Sequence, residues 1–351
     1  MRASDAVHYL ILGIVCLRIF SIVTLALPIH GLQAQPHMAK TNQLILVNTF
    51  HPETIEKLEN TYTTHKLYQI PEDDRLSYIQ QLSGTCRAAA TASWHCDPVV
   101  YQLGSLEIIS CFGVGVDAID FSVTKKRNIH VTNTPDVLND AVADLALGLI
   151  IATTRNLVNA DKFVRSGNWE KSQFPFGKSL AGKTLGILGM GRIGEEIAAR
   201  AKSFKMRIIY HNRNRKQIDY EYCASMVELA QDSDILLCML PGGDATRDLI
   251  DNSLFNALGP DGIFINVGRG SSVNESDLVS ALESGCIAGA GLDVYQTEPL
   301  TNQKLTKLNN VVLLPHIGSA TVETRRAMGN LVISNLAAFF SNKPLLTEVS
   351  S

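Results

Sequence analysis

Thr184–Ala201 reads TLGILGMGRIGEEIAARA, with the glycine pattern GMGRIG at 189–194. The apolar run Thr184–Leu188 before this pattern is typical of a buried strand, and the residues after it have helical spacing to about Phe204. G-x-G-x-x-G between a strand and a helix indicates a dinucleotide site, because its glycines permit a tight turn, close approach of the backbone to a pyrophosphate, and close packing of the helix on the strand. The N–H groups at the helix N-terminus favour the phosphates. The spacing places Ile193, Ile197, Ala201 and Phe204 on one face of this helix.

Apolar runs and helical segments alternate on both sides of this motif, which predicts parallel sheets covered by helices on both faces. The further candidate strands are Leu44–Val47, Ala88–Ala92, Glu107–Cys111, Asn128–Val131, Met206–Tyr210, Ile235–Leu240, Ile263–Val267, Ala288–Leu292 and Val311–Leu314. The further candidate helices are Pro52–Asn60, Ala141–Arg155 with Asp140 as N-cap, Glu275–Glu283 and Val322–Phe340. The helix over Ala141–Arg155 is apolar almost all round, which indicates burial.

Composition limits the class of protein. The chain has 351 residues, 46% of them hydrophobic, and a net charge of −3. This length predicts about two domains, and the near-neutral charge disfavours a nucleic-acid partner. The seven cysteines are scattered without a C-x-x-C pair, so we expect buried thiols in a reducing compartment and no structural metal.

The N-terminal segment leaves the location open. Tyr9–Leu27 reads YLILGIVCLRIFSIVTLAL, an apolar run interrupted by Arg18. It could be a dispensable leader before a cytosolic start at Met38, a signal peptide cleaved near Ala34, or a membrane anchor. We expect a cytoplasmic protein that lacks the leader, and contact with a membrane only where the leader is retained.

A second phosphate-binding pattern lies just upstream. GKSLAGKT at 177–184 fits the P-loop pattern G-x-x-x-x-G-K-[ST]. A working P-loop follows a strand and opens a helix, whereas this segment precedes the strand Thr184–Leu188. We therefore predict that it binds no nucleotide phosphate.

The residues after the second strand of the dinucleotide unit predict the form of the cofactor. A carboxylate there would bind the ribose 2′-hydroxyl of NAD, and an arginine would suit the 2′-phosphate of NADP. This segment is HNRNRK at 211–216, and no carboxylate occurs before Asp219. We expect NADPH to be preferred over NADH, with Asn212, Arg213 and Arg215 at the adenosine end. The alternative is an ordinary solvated loop.

Three glycine-containing turns carry candidate catalytic side chains. Arg269 lies in NVGRG, Glu298 follows GLDV, and His316 lies in PHIGS, each at or soon after the end of a predicted strand. Ligands bind at this edge of an open parallel sheet. Taken alone, these residues could be a surface ion pair, a turn residue and a core histidine. Together after a dinucleotide motif, they predict one site at the nicotinamide end.

Six ordered motifs resemble the D-isomer-specific 2-hydroxyacid dehydrogenase family, and most its NADPH-dependent glyoxylate/hydroxypyruvate reductase branch. The resemblance runs from about Leu44 to the C-terminus. The motifs are FGVGVDAID (112–120), TNTPDVLNDAVADLALGLI (132–150), GKTLGILGMGRIG (182–194), NVGRG (266–270), AGLDVYQTEP (290–299) and LLPHIGSAT (313–321).

The resemblance implies a role for individual residues. Arg269 would bind the substrate carboxylate and polarise its carbonyl, His316 would be the acid/base, and Glu298 would pair with His316. Val114 and Gly115 would offer backbone N–H groups to the carboxylate. The implied cofactor site consists of Gly189, Gly191, Arg192, Ile193, Gly194, Pro241, Val267, Asp293 and Gly318. Pro241 precedes GGDAT, where the family commonly has Leu-Thr-Pro.

The resemblance also implies a fold and an activity. A Rossmann domain over 141–319, which binds NADP, would be inserted into a flavodoxin-like substrate domain formed by 39–140 and 320–351, after the leader at 1–38. The protein would be a homodimer, joined through the 141–160 helix region, that reduces a small 2-oxo acid to the D-2-hydroxy acid. Two alternatives stay open: a reductase of a bulkier aryl-pyruvate or 2-ketogluconate type of acid, with Phe112, Phe174 and Phe176 near the pocket, or a nicotinamide-sensing protein without catalysis.

Overall fold

The computed structural model describes residues 41–299 and 302–349, which contain two parallel β-sheets. The predicted leader, with Met38 and Cys16, lies outside the described residues. The first sheet has the strand order β2-β1-β3-β4-β5, the flavodoxin-like order. Its strands are β1 Gln43–Leu46, β2 Thr63–Lys66, β3 Ala88–Ala92, β4 Ile108–Phe112 and β5 His130–Thr132.

The second sheet has seven strands in the order β12-β11-β10-β9-β6-β7-β8. Numbered from the strand before the glycine motif, this order is that of a doubly wound dinucleotide-binding sheet, with its switch point between β6 and β9. The strands are β6 Thr184–Leu188, β7 Arg207–His211, β8 Glu221–Tyr222, β9 Ile235–Cys238, β10 Ile263–Asn266, β11 Gly289–Leu292 and β12 Val311–Leu313. The predicted fold class, two doubly wound parallel-sheet domains, is confirmed.

Helices cover both sheets. They are α1 Pro52–Thr61, α2 Glu72–Leu82, α3 Phe121–Arg127, α4 Asn139–Thr154, α5 Leu157–Arg165, α6 Arg192–Ser203, α7 Met226–Gln231, α8 Asn252–Leu258, α9 Glu275–Glu283 and α10 Val322–Phe340. Helix α4 packs against α6 and β11 of the second sheet, whereas α10 returns to β4 and α1 of the first. At Gly329 in α10, a Cβ atom would lie 2.9 Å from the Cβ of Thr54 in α1, so glycine permits this close packing.

Burial explains the apolar strands and the apolar helix. Every residue of β3, β4 and β6 is buried, as expected for parallel sheets covered on both faces. Helix α4 buries Val142, Ala143, Ala146, Leu147, Leu149, Ile150 and Thr154. Within the described residues, no single helix is long and apolar enough to span a membrane, although α4 and α5 together, bent by 59°, meet the length and composition criteria.

Two local predictions are wrong. The N-cap of α4 is Leu138, and Asp140 lies inside the first turn, where its carboxylate accepts a hydrogen bond from Arg200 of α6 at 2.5 Å. Asn128 does not begin β5 but ends α3 in the left-handed region at φ 53°, a conformation that asparagine tolerates well.

Candidate active site

His316 and Glu298 form a hydrogen-bonded pair. Nδ1 of His316 lies 2.6 Å from Oε2 of Glu298, and Oε1 of Glu298 accepts a hydrogen bond from the N–H of Tyr295 at 3.0 Å. The side chains of His316 and Glu298 are 26% and 20% exposed, so the pair can reach a ligand while remaining shielded from bulk water. Because Nδ1 is held by Glu298, Nε2 is the ring nitrogen left to meet a substrate.

The carboxyl group of Glu298 is held in its charged form. Burial alone would raise its pKa, but the hydrogen bond and charge of His316, the N–H of Tyr295 and the charge of Arg269 together hold that pKa below its usual value. The carboxylate that Nδ1 of His316 meets is therefore held in its charged form.

The backbone at His316 adopts a conformation that few non-glycine residues take. His316 follows β12 and has φ 53°, in the left-handed region. Asp293 holds this turn, since its carboxylate accepts hydrogen bonds from the N–H groups of Ile317 and Gly318, both at 2.8 Å. Burial raises the pKa of the Asp293 carboxyl, although these two N–H groups favour its charged form. We infer that Asp293 sets the direction in which the imidazole points.

Arg269 extends from the loop after β10. The buried side chain of Asn266 clamps this loop by accepting from the N–H of Gly268 at 3.0 Å and donating to the carbonyl of Arg269 at 3.1 Å. Nη1 of Arg269 donates to the carbonyl of Gly268 at 3.0 Å, and Nε donates to the carboxylate of Asp117 at 3.1 Å. A side chain at Gly270 would overlap the backbone of Tyr295, so the NVGRG motif requires glycine there.

The loop after β4 offers two free backbone donors. Thr134 accepts a hydrogen bond from the N–H of Gly113 at 2.9 Å, and Asn133 donates to the carbonyl of Val114 at 2.8 Å. In the part of the chain that the structure describes, the N–H groups of Val114 and Gly115 donate to no protein acceptor. Both residues line a cavity of about 190 Å³ together with Arg269 and His316. The free N–H groups of Val114 and Gly115 and the guanidinium of Arg269 together are called the carboxylate seat below, because such donors are suited to bind a carboxylate.

A larger cavity of about 820 Å³ adjoins this seat. Arg269, Glu298 and His316 all line it, which brings together the three predicted catalytic residues. Two more lining residues are ones that sequence reasoning missed: Asp117, and Trp94, whose ring centroid lies 5.3 Å from that of His316. Both follow the carboxyl ends of strands in the first sheet, and that position is the signal that could have identified them.

The glycine motif forms a cradle that fits a pyrophosphate. Helix α6 begins after Gly191 without a side-chain cap from any described residue, so its first N–H groups are available to a ligand. A Cβ at Gly191 would meet only open space, which leaves room for a ligand against the backbone. Gly189, Gly191, Arg192, Ile193 and Gly194 line a single cavity of about 200 Å³. These residues could hold the phosphates of a dinucleotide.

The two ends of the predicted cofactor site differ in their packing. At the nicotinamide end, Pro241, Val267, Asp293 and Gly318 line the same 190 Å³ cavity as His316. At the adenosine end, Asn212 reaches back to the glycine loop, where its Oδ1 accepts from the N–H of Met190 at 2.6 Å. Arg213 and Arg215 are exposed after β7. The guanidinium of Arg215 lies over the ring of Tyr222, 5.8 Å from its centroid.

The P-loop pattern at 177–184 does not form a P-loop. Its residues lead into β6 and no helix follows them before the glycine motif. Its two lysines are engaged elsewhere: Lys178 donates to Asp261 at 2.9 Å, and Lys183 donates to Asp234 at 2.7 Å.

Of the three phenylalanines considered for the pocket, only Phe112 lines it. Phe112 is 2% exposed and packs on Phe50 with 5.2 Å between ring centroids. Phe174 packs on Phe163, and Phe176 is fully exposed and lines a separate groove with Arg155 and Lys178. A larger apolar pocket built from all three is therefore ruled out within this chain.

Comparison with known proteins identifies the family. Residues 147–318 match the model of the D-isomer specific 2-hydroxyacid dehydrogenase NAD-binding domain. The glyoxylate/hydroxypyruvate reductase A of Arabidopsis thaliana is 44% identical over 299 residues, which cover 84% of this chain and 94% of that protein. The chain belongs to the D-isomer specific 2-hydroxyacid dehydrogenase family. It is therefore an NAD(P)-dependent oxidoreductase, and the resemblance seen in its motifs is confirmed.

Two further relatives frame the choice of substrate and cofactor. The hydroxyphenylpyruvate reductase of Plectranthus scutellarioides is 47% identical over 272 residues, 77% of this chain and 85% of that protein. The NADPH-dependent glyoxylate/hydroxypyruvate reductase of Sinorhizobium meliloti, solved with NADP and malonate, has a TM-score of 0.81 and 39% identity. That match covers 89% of this chain and 97% of the solved chain.

Proposed function

We propose that this dehydrogenase reduces glyoxylate or hydroxypyruvate to the D-2-hydroxy acid with NADPH. The observation that carries the proposal is one cavity lined by Arg269, His316, Val114 and Gly115, with His316 paired to Glu298. A guanidinium and two free amides suit the carboxylate of a 2-oxo acid, and a charge-stabilised imidazole beside them suits its carbonyl. The names of the Arabidopsis and Sinorhizobium relatives support this substrate class.

Each side chain has a task in the reduction. The amides of Val114 and Gly115 and the guanidinium of Arg269 bind the carboxylate, which fixes the carbonyl beside His316. The bound cofactor supplies the hydride. Protonated His316 donates its Nε2 proton to the carbonyl oxygen, and Glu298 stabilises the imidazolium before that transfer. Arg269 stabilises the negative charge that builds on this oxygen, a contribution that is often the largest in such sites.

We infer a preference for NADPH from the loop after β7. Arg213 and Arg215 are exposed there, and Asn212 stands where an NAD-specific site would carry a carboxylate. A carboxylate would repel the 2′-phosphate, whereas a guanidinium can bind it with two hydrogen bonds. The Sinorhizobium relative, described as NADPH-dependent, supports this choice.

A bulkier 2-oxo acid is the second candidate. The 820 Å³ cavity gives room for a longer side chain beside Trp94, far more than glyoxylate occupies. The 47% identical relative is a hydroxyphenylpyruvate reductase. A purely sensing protein is a weaker candidate, because binding a nicotinamide dinucleotide would not require the His316–Glu298 pair.

We propose a homodimer formed through α5, which begins at the end of the expected 141–160 region, and through the segment that follows it. Helix α5 has no buried residue, and Leu157, Val158 and Val164 are 48%, 42% and 53% exposed. Trp169 and Phe176 in the following segment are 69% and 102% exposed. Exposed apolar side chains that follow one another closely along the chain favour burial against a second copy.

We propose that the substrate domain is formed by residues 39–140 and 320–351 and the cofactor domain by residues 141–319. We also propose that the protein is cytoplasmic. The strand-forming sequence starts soon after Met38, which supports a working chain that begins there. The intact mass of the protein from its native source tests this start. A mature N-terminus near Gln35 would favour cleavage of a signal peptide instead.

The test of the function is a substrate panel followed through the oxidation of NADPH. We expect kcat/KM to be highest for glyoxylate or hydroxypyruvate and lower for 4-hydroxyphenylpyruvate and 2-ketogluconate. The reverse order would favour the bulkier-substrate candidate. Tight NADPH binding without turnover of any of these acids would favour the sensing protein.

A further inference from the structure

Asp117 and Arg269 form an ion pair that joins the two sheets. Nε of Arg269 lies 3.1 Å from Oδ2 and 3.3 Å from Oδ1 of Asp117. Asp117 belongs to the loop after β4 of the first sheet, and Arg269 belongs to the loop after β10 of the second. The two side chains are only 21% and 20% exposed, so solvent screens this pair less than a surface pair.

Two glycines leave space for this pair. A Cβ atom at Gly242 would lie 2.9 Å from Oδ2 of Asp117, and one at Gly115 would lie 2.6 Å from its Oδ1. A Cβ at Gly115 would also overlap Nη2 of Arg269. The guanidinium therefore lies directly against the backbone that carries the free N–H of Gly115.

The pair uses only one part of the guanidinium. Asp117 occupies Nε, and the carbonyl of Gly268 accepts from Nη1 at 3.0 Å. Among the described residues, no hydrogen-bond acceptor engages Nη2 of Arg269. Nη2, which faces Gly115, is thus left to a carboxylate, to which it can donate a charge-assisted hydrogen bond.

We propose that Asp117 is a positioning residue that holds Arg269 in register with the free amides of Val114 and Gly115. This inference rests on the proposed function, because the seat it organises is the seat for the carboxylate of a 2-oxo acid. Asp117 does not touch the substrate. It fixes the plane of the guanidinium across the two sheets, so that the substrate meets a preorganised seat.

If Asp117 had the opposite role, removing its charge would change the KM for the substrate in the opposite direction. If Asp117 instead competed with the substrate for Arg269, removing its charge would release the guanidinium and lower the KM for a 2-oxo acid. If it positions Arg269, removing its charge raises this KM and weakens any small carboxylate that binds the seat.

The experiment compares Asp117→Asn with wild type and with a matched control. Asp261→Asn removes another carboxylate that is paired with a cation, Lys178 at 2.9 Å, but is 97% exposed and lines neither the 820 Å³ nor the 190 Å³ cavity. We expect Asp117→Asn to raise the KM for the 2-oxo acid about tenfold or more through the loss of a charged hydrogen bond. The Kd for NADPH and the unfolding midpoint should stay near wild type, and Asp261→Asn should leave all these values unchanged.

A double-mutant cycle separates positioning from a general structural effect. In an Arg269→Lys background, where the fork is absent, Asp117→Asn should add little further loss. An effect of Asp117→Asn that is undiminished in that background, or a lowered KM in the single variant, would overturn the proposal.

Binding of malonate tests the inference even without turnover. Malonate is a small carboxylate, and the shift that it causes in the thermal unfolding of the free protein reports on the seat directly. We expect Asp117→Asn to bind malonate about tenfold more weakly than wild type. Wild type that binds malonate but reduces no 2-oxo acid would contradict the proposed function alone, whereas equal binding by wild type and Asp117→Asn would contradict the positioning role alone.

Discussion

Nδ1 of His316 lies 2.6 Å from a carboxylate oxygen of Glu298, while the backbone of the same histidine is anchored to Asp293 by a 2.9 Å hydrogen bond from its N–H to the Asp293 carbonyl. One contact fixes the ring and the other fixes the turn that carries it. The imidazole thus presents Nε2 to the cavity that Arg269 also lines.

Replacement of His316 by asparagine should remove the proton donor. We expect kcat for 2-oxo acid reduction to fall by about 10²–10⁴, the usual contribution of a positioned general acid. The Kd for NADPH, followed by its fluorescence, should stay near wild type. His95→Asn is a matched control, because His95 lines the same larger cavity without a predicted role, and it should keep wild-type kcat. Full turnover in His316→Asn would remove this residue from the reaction.

Replacement of Arg269 by alanine should impair both binding and chemistry. The guanidinium faces the carboxylate seat and also the oxygen on which charge develops. We expect kcat to fall by about 10²–10³, as for loss of an oxyanion donor, together with a rise in the KM for the 2-oxo acid. Steady-state kinetics at saturating NADPH measure both. A change in KM alone would restrict Arg269 to binding.

The Glu298–His316 pair should contribute stability that depends on pH. The folded pKa of Glu298 is lowered, so the stability that its ionisation contributes is present above the unfolded value of about 4.3 and is lost as the pH falls through the lower folded pKa. Urea unfolding should show wild type more stable than Glu298→Gln at about pH 6. The difference in the free energy of unfolding between wild type and Glu298→Gln should narrow at more acidic pH. A difference that grew on acidification would contradict the lowered pKa of Glu298 in the folded protein.

Cofactor selectivity should depend on the arginines after β7. The double variant Arg213→Ala/Arg215→Ala should lose about tenfold or more in kcat/KM for NADPH through lost charged hydrogen bonds, with little change for NADH. Arg207→Ala is the control, since Arg207 begins β7 at the opposite end and pairs with Glu221. Equal efficiency of wild type with NADH and NADPH would contradict the NADPH assignment.

The proposed dimer can be tested at α5. Leu157→Glu places a charge in the apolar surface formed by α5 and the segment after it, and we expect a monomer by sedimentation or light scattering. Leu76→Glu is the matched control, because Leu76 on α2 is 47% exposed against 48% for Leu157. A wild-type monomer, or dissociation of both variants alike, would argue against this interface.

Local sequence patterns were enough to predict the central strands of both sheets and the three turns that carry Arg269, Glu298 and His316. They did not predict the edge strands β2 and β8, whose sequences TTHK and EY are polar rather than apolar. Buried parallel strands produce continuous apolar runs, and the carboxyl ends of such strands meet at one edge of the sheet. The residues that follow the strands therefore lie close together at one site. The bounds of α9 and α10 agree with the predicted ranges.

Contacts between distant segments were not predictable in this way. Asp117 lies 152 positions from Arg269 in the chain, and nothing near it indicates an ion pair. Asp140 is of a residue type that is favoured at N-caps, but it lies in the first turn of α4, where its carboxylate accepts a hydrogen bond from Arg200 of α6. In both cases a partner from another element decides the role of the side chain.

The most direct test is to incubate the purified protein with hydroxypyruvate and NADPH and to measure NADPH consumed together with the amount and configuration of glycerate formed. The account predicts one D-glycerate for each NADPH oxidised, with the rate lost in His316→Asn. Formation of the L-isomer, or the absence of glycerate while NADPH still binds, would contradict it.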